Sequence, residues 1–395
     1  MSKSAVAQTV LHNGPISRSA IARHTGLSQP TIGEIVREFE GRGWIREAGR
    51  TSGHIGRSAA TYEIIPNSAC LFAADIGGTR ARAVVVNIVG QFLAEIDEKT
   101  DKRGGNHVIE QMARMCGKAK EIAGIASGSM RLAVIGVPGV PDEDTGGVSL
   151  SPNIPGIDMI DLKSAMSEKI GTGVILENDV NLAVQGEHWT GKGKGIGELV
   201  FINLGTGVGS GIMIGGKLVR GNDSAAGELA YLPMGADPFE IESLRAGAFE
   251  RRVGTCGIRQ RFLALSGRDL EVPEIFDRAL AGDANAKTVI DETALYLTRA
   301  VAAVSAVVAP KMVILGGSIG LRRELAEKVR SLFPKCFPNP VAIERSALGA
   351  RAALAGGAAV GLTHLHATLF SGRLPASEVL PPACIEVSLL GSEEK

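Results

Sequence analysis

The sequence predicts a small N-terminal winged helix-turn-helix followed by a two-lobed α/β body. Three observations carry that prediction. The first 66 residues read as helix, helix, turn, helix and then two strands. The rest of the chain holds two strand–glycine turn–strand units, at Asp75–Thr79 and Gly205–Gly209, the mark of a duplicated lobe. A chain of 395 residues is also too long for one core, so two or three domains are expected. The boundaries that follow are 1–66 for the head, 67–180 for the first lobe and 181–395 for the second, with C-terminal helices free to pack back on the first lobe. A composition of 45% apolar and 21% charged residues with 51 glycines excludes disorder and suits a soluble α/β protein. The chain is neutral overall, but residues 1–66 hold eight Lys/Arg against five Glu. A basic head on a mildly acidic body suits a head that meets phosphate, although scatter in a short segment gives the same imbalance.

Within the head, Val6, Val10 and Leu11 fall at helical spacing, and Asn13-Gly14-Pro15 ends that run. Ser17 is placed to cap a second helix that stops at Gly26. Ser28 caps a third, with Pro30 tolerated in its first turn because the missing N–H there would have no helical partner. Ile32, Ile35, Val36 and Phe39 give that helix an apolar face. A short helix, a glycine turn and a helix with a polar leading end would set Ser28, Gln29, Pro30, Thr31 and Glu34 against base edges in a major groove, with Arg37 reaching phosphate. Trp44–Glu47 and Thr61–Ile65 read as strands. The Gly-rich, basic loop Gly49–Arg57 between them, with Arg50 and Arg57, is shaped like a wing for a minor groove. The same caps serve a plain three-helix bundle, and the basic-tipped hairpin is what favours DNA. Glu34 puts a negative charge where Arg or Lys would be more useful.

In the body, Cys70–Ala74 is a buried-type strand that runs into Asp75-Ile76-Gly77-Gly78-Thr79 and a second strand, Ala81–Val89. A Gly-Gly turn lets backbone N–H groups approach a phosphate, the Thr79 hydroxyl can donate to it, and Asp75 can hold Mg²⁺ through water. The design repeats at Leu199–Leu204, Gly205-Thr206-Gly207-Val208-Gly209 and Gly211–Ile214. Between the two, Val174-Ile175-Leu176 runs into Glu177-Asn178-Asp179, at the strand end where α/β sheets put their ligands. Asp179 suits a general base for a sugar hydroxyl, with Asn178 positioning it, and both residues equally suit the cap of a helix over Leu182–Glu187. The run Thr288–Val308 is an apolar helix, either core or a dimer contributor. Five widely spaced cysteines without a CxxC read as free thiols of a reducing cytoplasm. No signal pattern opens the chain, and its most apolar stretch, Ala300–Ala309, is about half a membrane span.

Taken in order, these motifs resemble the ROK (repressor, open reading frame, kinase) family, in its regulator branch with an N-terminal winged helix. The likeness spans roughly residues 5–360. It rests on Gly26–Thr31, Gly56-Arg57, Asp75–Thr79, Gly136-Val137-Pro138-Gly139, Ser151–Gly156, Glu177–Asp179, Gly205–Gly209, Gly227-Glu228, Leu315-Gly316-Gly317 and Ala347-Leu348-Gly349. The resemblance implies an actin-like, two-lobed α/β sugar-kinase-like fold behind the winged head. It implies that Asp75, Gly77, Gly78 and Thr79 form one phosphate loop and Gly205, Thr206, Gly207 and Gly209 the other, with Gly316 and Gly317 near a nucleoside. Asp179 falls on the family's catalytic base, and Asn153, Asn178, Glu228 and Glu242 fall on sugar contacts. Two departures stand out. Tyr231 replaces the family's zinc- and sugar-bridging His, and Leu232–Ile241 lacks the cysteines of its zinc loop, so no structural zinc is expected.

These features imply a cytoplasmic regulator, in the first instance a repressor of sugar genes, that binds double-stranded operator DNA. A sugar or sugar derivative in the kinase-like cleft would be its effector, and it would act as a homodimer or a dimer of dimers, with no membrane partner. The alternative is an ATP-dependent hexose kinase with an appended head, for which ATP and Mg²⁺ would be the cofactors. A third reading has the body sensing ATP or phosphate itself.

Overall fold

The computed structural model describes residues 2–51, 58–126, 128–142, 144–149 and 154–371. Arg57, Asn153, the Gly56-Arg57 and Ser151–Asn153 motif residues and the tail beyond residue 371 lie outside them. The described residues divide into two compact units. One contains the residues up to Gly136, Ile154–Leu176 and those from Gly357 onward. The other contains those of Val137–Asn153 and Glu177–Gly356.

The chain opens with α1 (Ser2–Asn13), β1 (Ile16–Ser17), α2 (Arg18–Thr25), α3 (Gln29–Gly41), β2 (Ile45–Arg50) and β3 (Ala60–Ile64). The two caps read from sequence are present. The Ser17 hydroxyl accepts the Ala20 N–H, the Ser28 hydroxyl accepts the Thr31 N–H, and Gly26 closes α2 in a left-handed conformation. The hairpin differs from expectation in two ways. Strand β2 continues to Arg50, so Gly49 and Arg50 are strand residues following a bulge at Glu47/Gly49. Ile16-Ser17 adds a third strand by pairing with Tyr62 and Thr61, which gives the antiparallel order β1-β3-β2. Two residues are too short for a periodic signal, which is why sequence reading passes them over.

The apolar faces of α1, α2 and α3 close on Trp44, Tyr62 and Ile64 to make the head's core, and that core is completed from elsewhere in the same unit by Ile88 and Phe370. The Phe370 ring lies 5.3 Å from that of Trp44, edge-on, and 5.5 Å from that of Phe39. Beside it, His366 Nε2 lies 2.9 Å from the Ile88 carbonyl oxygen.

The body continues with β4 (Cys70–Ile76), β5 (Arg80–Asn87), β6 (Phe92–Lys99), α4 (Gly105–Ala123) and β7 (Met130–Val137). After a small hairpin of β8 (Val140–Pro141) and β9 (Val148–Ser149) come α5 (Leu162–Ile170) and β10 (Gly173–Asn178). The first sheet has the order β10-β7-β4-β5-β6, antiparallel across β4-β5-β6 and parallel between β4 and β7. There follow α6 (Asp179–Thr190), β11 (Leu199–Leu204), β12 (Val208–Ile214) and β13 (Lys217–Leu218). Next are α7 (Ile241–Ala246), α8 (Glu250–Val253), α9 (Thr255–Ser266), α10 (Val272–Leu280) and α11 (Ala284–Val308). The chain then forms β14 (Met312–Gly316), α12 (Gly317–Gly320), α13 (Arg323–Leu332), β15 (Ala342–Arg345) and α14 (Ala352–His366). The second sheet has the order β13-β12-β11-β14-β15. It repeats the first, with three antiparallel meander strands on one side and parallel strands added beyond the leading one. The duplication inferred from two glycine turns is thus a duplication of whole sheets.

Helix α11 starts at Ala284, capped by Asp283, four residues before the expected Thr288. It packs Val289, Ile290, Ala294, Leu297 and Val301 into the core of the second unit. Among the described residues the one helix long and apolar enough to cross a membrane lies elsewhere, at Gly349–Phe370, 22 residues, and 72% of its most apolar window is buried inside the protein, as in a core helix.

Candidate functional site

The first glycine turn joins β4 to β5. It is held by Gly77 N–H on the Arg80 carbonyl, by the Thr100 hydroxyl on the Gly77 carbonyl at 2.6 Å, and by Thr100 N–H on the Thr79 carbonyl. Gly78 and Thr79 are exposed at its tip. Asp75 stands at its base, across the ladder from Arg82, and its Oδ1 is shut off from water with no hydrogen-bond partner. Burial raises the Asp75 pKa to about 6, against a smaller lowering by Arg82, whose guanidinium is shared with Asp97. An unpaired carboxylate oxygen costs the fold about 1–3 kcal/mol, and such groups persist where a ligand uses them. The sign is that of a raised acid. The ionised form is disfavoured in the fold, so stability falls as pH rises from near the ordinary carboxylate value through about 6. Asp75→Asn keeps the shape without the charge and should gain about 1–3 kcal/mol at pH 7 but nothing at pH 4. Urea unfolding across that range checks this, and equal gains at both pH values would show that the charge is not the cause.

The second turn, Gly205-Thr206-Gly207, joins β11 to β12 within the other unit. Gly205 N–H donates to the Gly207 carbonyl, and the Gly205 carbonyl accepts both the Thr255 N–H and the Thr255 hydroxyl. Val208 N–H donates to Glu250 Oε2 at 2.8 Å. Gly209 follows in β12, and Gly316-Gly317 lies at the end of the neighbouring β14, where β11 pairs Asn203 with Gly316. Glu250 did not figure in the sequence reading, because nothing local marks it: it lies 42 residues from the N–H it holds.

At the end of β10, Asn178 does what a cap does. Its Oδ1 accepts Val180 N–H and Asn181 N–H, while its Nδ2 donates to the Gly139 carbonyl at 2.9 Å and so ties the Gly136–Gly139 motif to this corner. The helix begins at Asp179, three residues before the expected Leu182. Asp179 Oδ1 also accepts Val180 N–H. The capping reading and the ligand reading therefore fall on the same two residues. Behind them Glu177, 3% exposed, is paired with Arg220 at 2.5 Å and also accepts Asn178 N–H and Asn181 Nδ2.

Arg220 opens the segment that leads to Gly227-Glu228. Gly227 has φ 96° and sits so close to β12 that a Cβ there would lie 2.1 Å from the Ser210 carbonyl oxygen, so only glycine fits. That contact sets Glu228 beside the second turn. Burial raises the Glu228 pKa. Burial also raises that of Tyr231, with Glu228 and Glu250 adding to the effect, which puts the three side chains within electrostatic reach of one another. Glu242 is exposed in the first turn of α7.

The donor set here does not fit a zinc ion. Tyr231 carries no metal-ligating nitrogen, Cys256 is exposed and free, and among the described residues no three His, Cys, Asp or Glu side chains group as metal ligands do. The loop is tied instead by Arg251, whose Nη1 donates to Glu240 Oε2 and to the buried Ser243 Oγ, both at 2.6 Å.

On the head, Gln29, Pro30, Glu34, Arg37 and Arg50 are exposed. The hydroxyls of Ser28 and Thr31 lie 2.8 Å apart within the cap. Arg37 Nε donates back to the Gly33 carbonyl, and neither Arg37 nor Arg50 is ion-paired among the described residues. Arg18 and Arg42 are committed to aromatic faces, Tyr62 and Trp44, and to Glu40 and Glu38.

Residues 71–366, three quarters of the chain, match the ROK family. The chain belongs to the ROK family. Among ROK relatives it is 30% identical over 312 residues to a glucokinase of Thermotoga maritima, covering 73% of this chain and 96% of that one. It is 26% identical over 355 residues to the xylose repressor of Caldicellulosiruptor bescii, covering 84% and 87%. The crystal structure of a ROK transcriptional regulator, a homologue of the E. coli MLC protein, superposes with a TM-score of 0.74 over 94% of this chain and 98% of that one. At 20% identity that likeness bears on the fold alone.

Proposed function

We propose that this ROK protein is a DNA-binding transcriptional regulator, acting as a repressor of sugar genes, with a sugar or sugar derivative as effector. The observation that carries the reading is the head. A glycine-turned α2–α3 pair with an exposed leading end, followed by the β2–β3 hairpin, supports the reading of a winged helix-turn-helix. The match to the xylose repressor, which covers 84% of this chain against 73% for the glucokinase, supports it. Gln29, Pro30, Thr31 and Glu34 would face bases, while Arg37, Arg50 and Arg57 would face phosphates. Asn153, Asn178, Asp179, Glu228, Tyr231 and Glu242 would contact the effector. A homodimer on two half-sites would match the two-fold symmetry of operators.

The test is a selection of binding sites from genomic DNA, followed by anisotropy titrations with a panel of neutral, acidic and amino sugars. At least one sugar should change operator affinity at fixed salt, and no response across the panel sinks the sensor reading. Arg50→Ala should weaken binding alike for all sequences and reduce the salt slope by about 1.

A kinase reading is favoured by one observation, the unpaired carboxylate oxygen of Asp75, which suits the hydration shell of Mg²⁺. ATP with Mg²⁺ would supply the phosphoryl group, and Asp179 would take the proton of the sugar hydroxyl. ADP release with hexoses that disappears in Asp179→Ala would establish it.

A further inference from the structure

The second turn keeps its glycines but places an anion against its backbone. A glycine turn holds phosphate by presenting unspent N–H groups. In this one, Gly205 N–H is spent on Gly207 and Val208 N–H on the Glu250 carboxylate. Only Thr206 and Gly207 keep N–H groups without a hydrogen-bond partner among the described residues. Both lie within two residues of the one that the carboxylate holds. Consecutive Cα atoms are about 3.8 Å apart, so a phosphate on those two donors would sit close to the carboxylate, in a half-buried setting where water screens little.

Among the described residues Glu250 has no ion pair. Arg251 is turned to Glu240 and Ser243, and Arg252 to Glu292. Glu228 adds a second carboxylate within electrostatic reach, and burial with that neighbour holds the Glu250 pKa above the ordinary range. Glu250 is also anchored. Gly254 N–H donates to its carbonyl, and Thr255, five residues on, ties Gly205 from the other side.

We propose that Glu250 is an internal anion that excludes nucleotide phosphates from the Gly205–Gly209 turn, so that the second unit answers to a sugar without ATP. The inference rests on the reading of that turn as the phosphate-facing one, and it deepens the proposed function by giving a reason why a kinase-like body would sense rather than phosphorylate. The competing role is a neutral one, a carboxylate that merely braces the turn. Charge separates the two, because Glu250→Gln keeps an acceptor for the Val208 N–H and loses only the anion.

The experiment is calorimetric titration of the full chain with Mg²⁺–ADP and Mg²⁺–ATP, for the wild type, Glu250→Gln and Glu228→Gln. The wild type is expected to show no saturable binding at roughly millimolar nucleotide, and Glu250→Gln to gain about tenfold or more in affinity, a gain that added salt reduces. Glu228→Gln, which leaves the Val208 bond alone, should gain less in the same direction and serves if the first variant does not fold. Wild-type binding at roughly micromolar nucleotide, or affinities of both variants within about twofold of the wild type, would overturn the proposal. The sugar response of the wild-type operator complex is measured in the same buffer. Its loss with a nucleotide gain in the variants would count against the sensor reading alone, and the reverse against Glu250 alone.

Discussion

Phe370→Ala is expected to cost the head about 3–5 kcal/mol, the range for removing a buried aromatic ring. Phe370 is 5% exposed and wedged between Phe39 and Trp44, so its loss opens a cavity among the largest side chains of a small core. A segment of this size has few kcal/mol to lose, because little of its surface is buried to begin with. The head should therefore unfold at temperatures where the second unit stays folded, and operator binding should go with it. The chain's two tryptophans make this readable: Trp44 lies in the head and Trp189 in α6. In a Trp189→Phe background, Trp44 emission should report an early transition in Phe370→Ala, while sugar still stabilises the second unit. A shift of the head transition below about 1 kcal/mol would show that Phe370 covers the core without supporting it.

Gly356→Leu should be comparably damaging, for a different reason. Helices α6 and α14 meet within the second unit with their backbones in contact. A Cβ at Gly356 would lie 1.8 Å from the Leu182 carbonyl oxygen, and one at Gly186 would lie 2.1 Å from that of Ala352. The obstacle is backbone on each side, so neither helix can yield by turning a side chain, and the pair must separate. A loss of at least about 3 kcal/mol is expected in the unit's unfolding, followed through Trp189 in a Trp44→Phe background. Because α6 starts at Asn178 and Asp179, the sugar response should weaken as well. Gly117→Ala in α4 is the control. A Cβ there meets nothing within 4 Å, and the change should stabilise by about 0.5–1 kcal/mol.

The two groups of residues differ in how far their partners lie along the chain. Ser17, Gly26 and Ser28 were legible because a cap acts within three or four residues. Asn178 and Asp179 were legible as a pair, and the structure shows the capping that was their alternative reading. Glu250, Arg220 and Arg251 were not legible. An exposed-looking Glu or Arg in a helical stretch reads as a solvated face, and only the fold brings Glu250 to Val208 or Arg220 to Glu177. The chain from Phe370 on carried no interpretable motif. Phe370 meets Trp44 and Phe39, and His366 meets Ile88, all of which lie hundreds of residues earlier.

By itself the sequence determined the local grammar: the caps and turn of α2 and α3, the two glycine turns with their strands, and the absence of the histidine and cysteines that would hold zinc. Those are statements about which residue types lie near one another in the chain. The tertiary structure alone decided that a C-terminal aromatic ring completes the head's core, that two helices approach to glycine distance, and that a carboxylate holds a donor of the second turn. Burial and charge act through space, and the chain's order does not record which distant groups will share it.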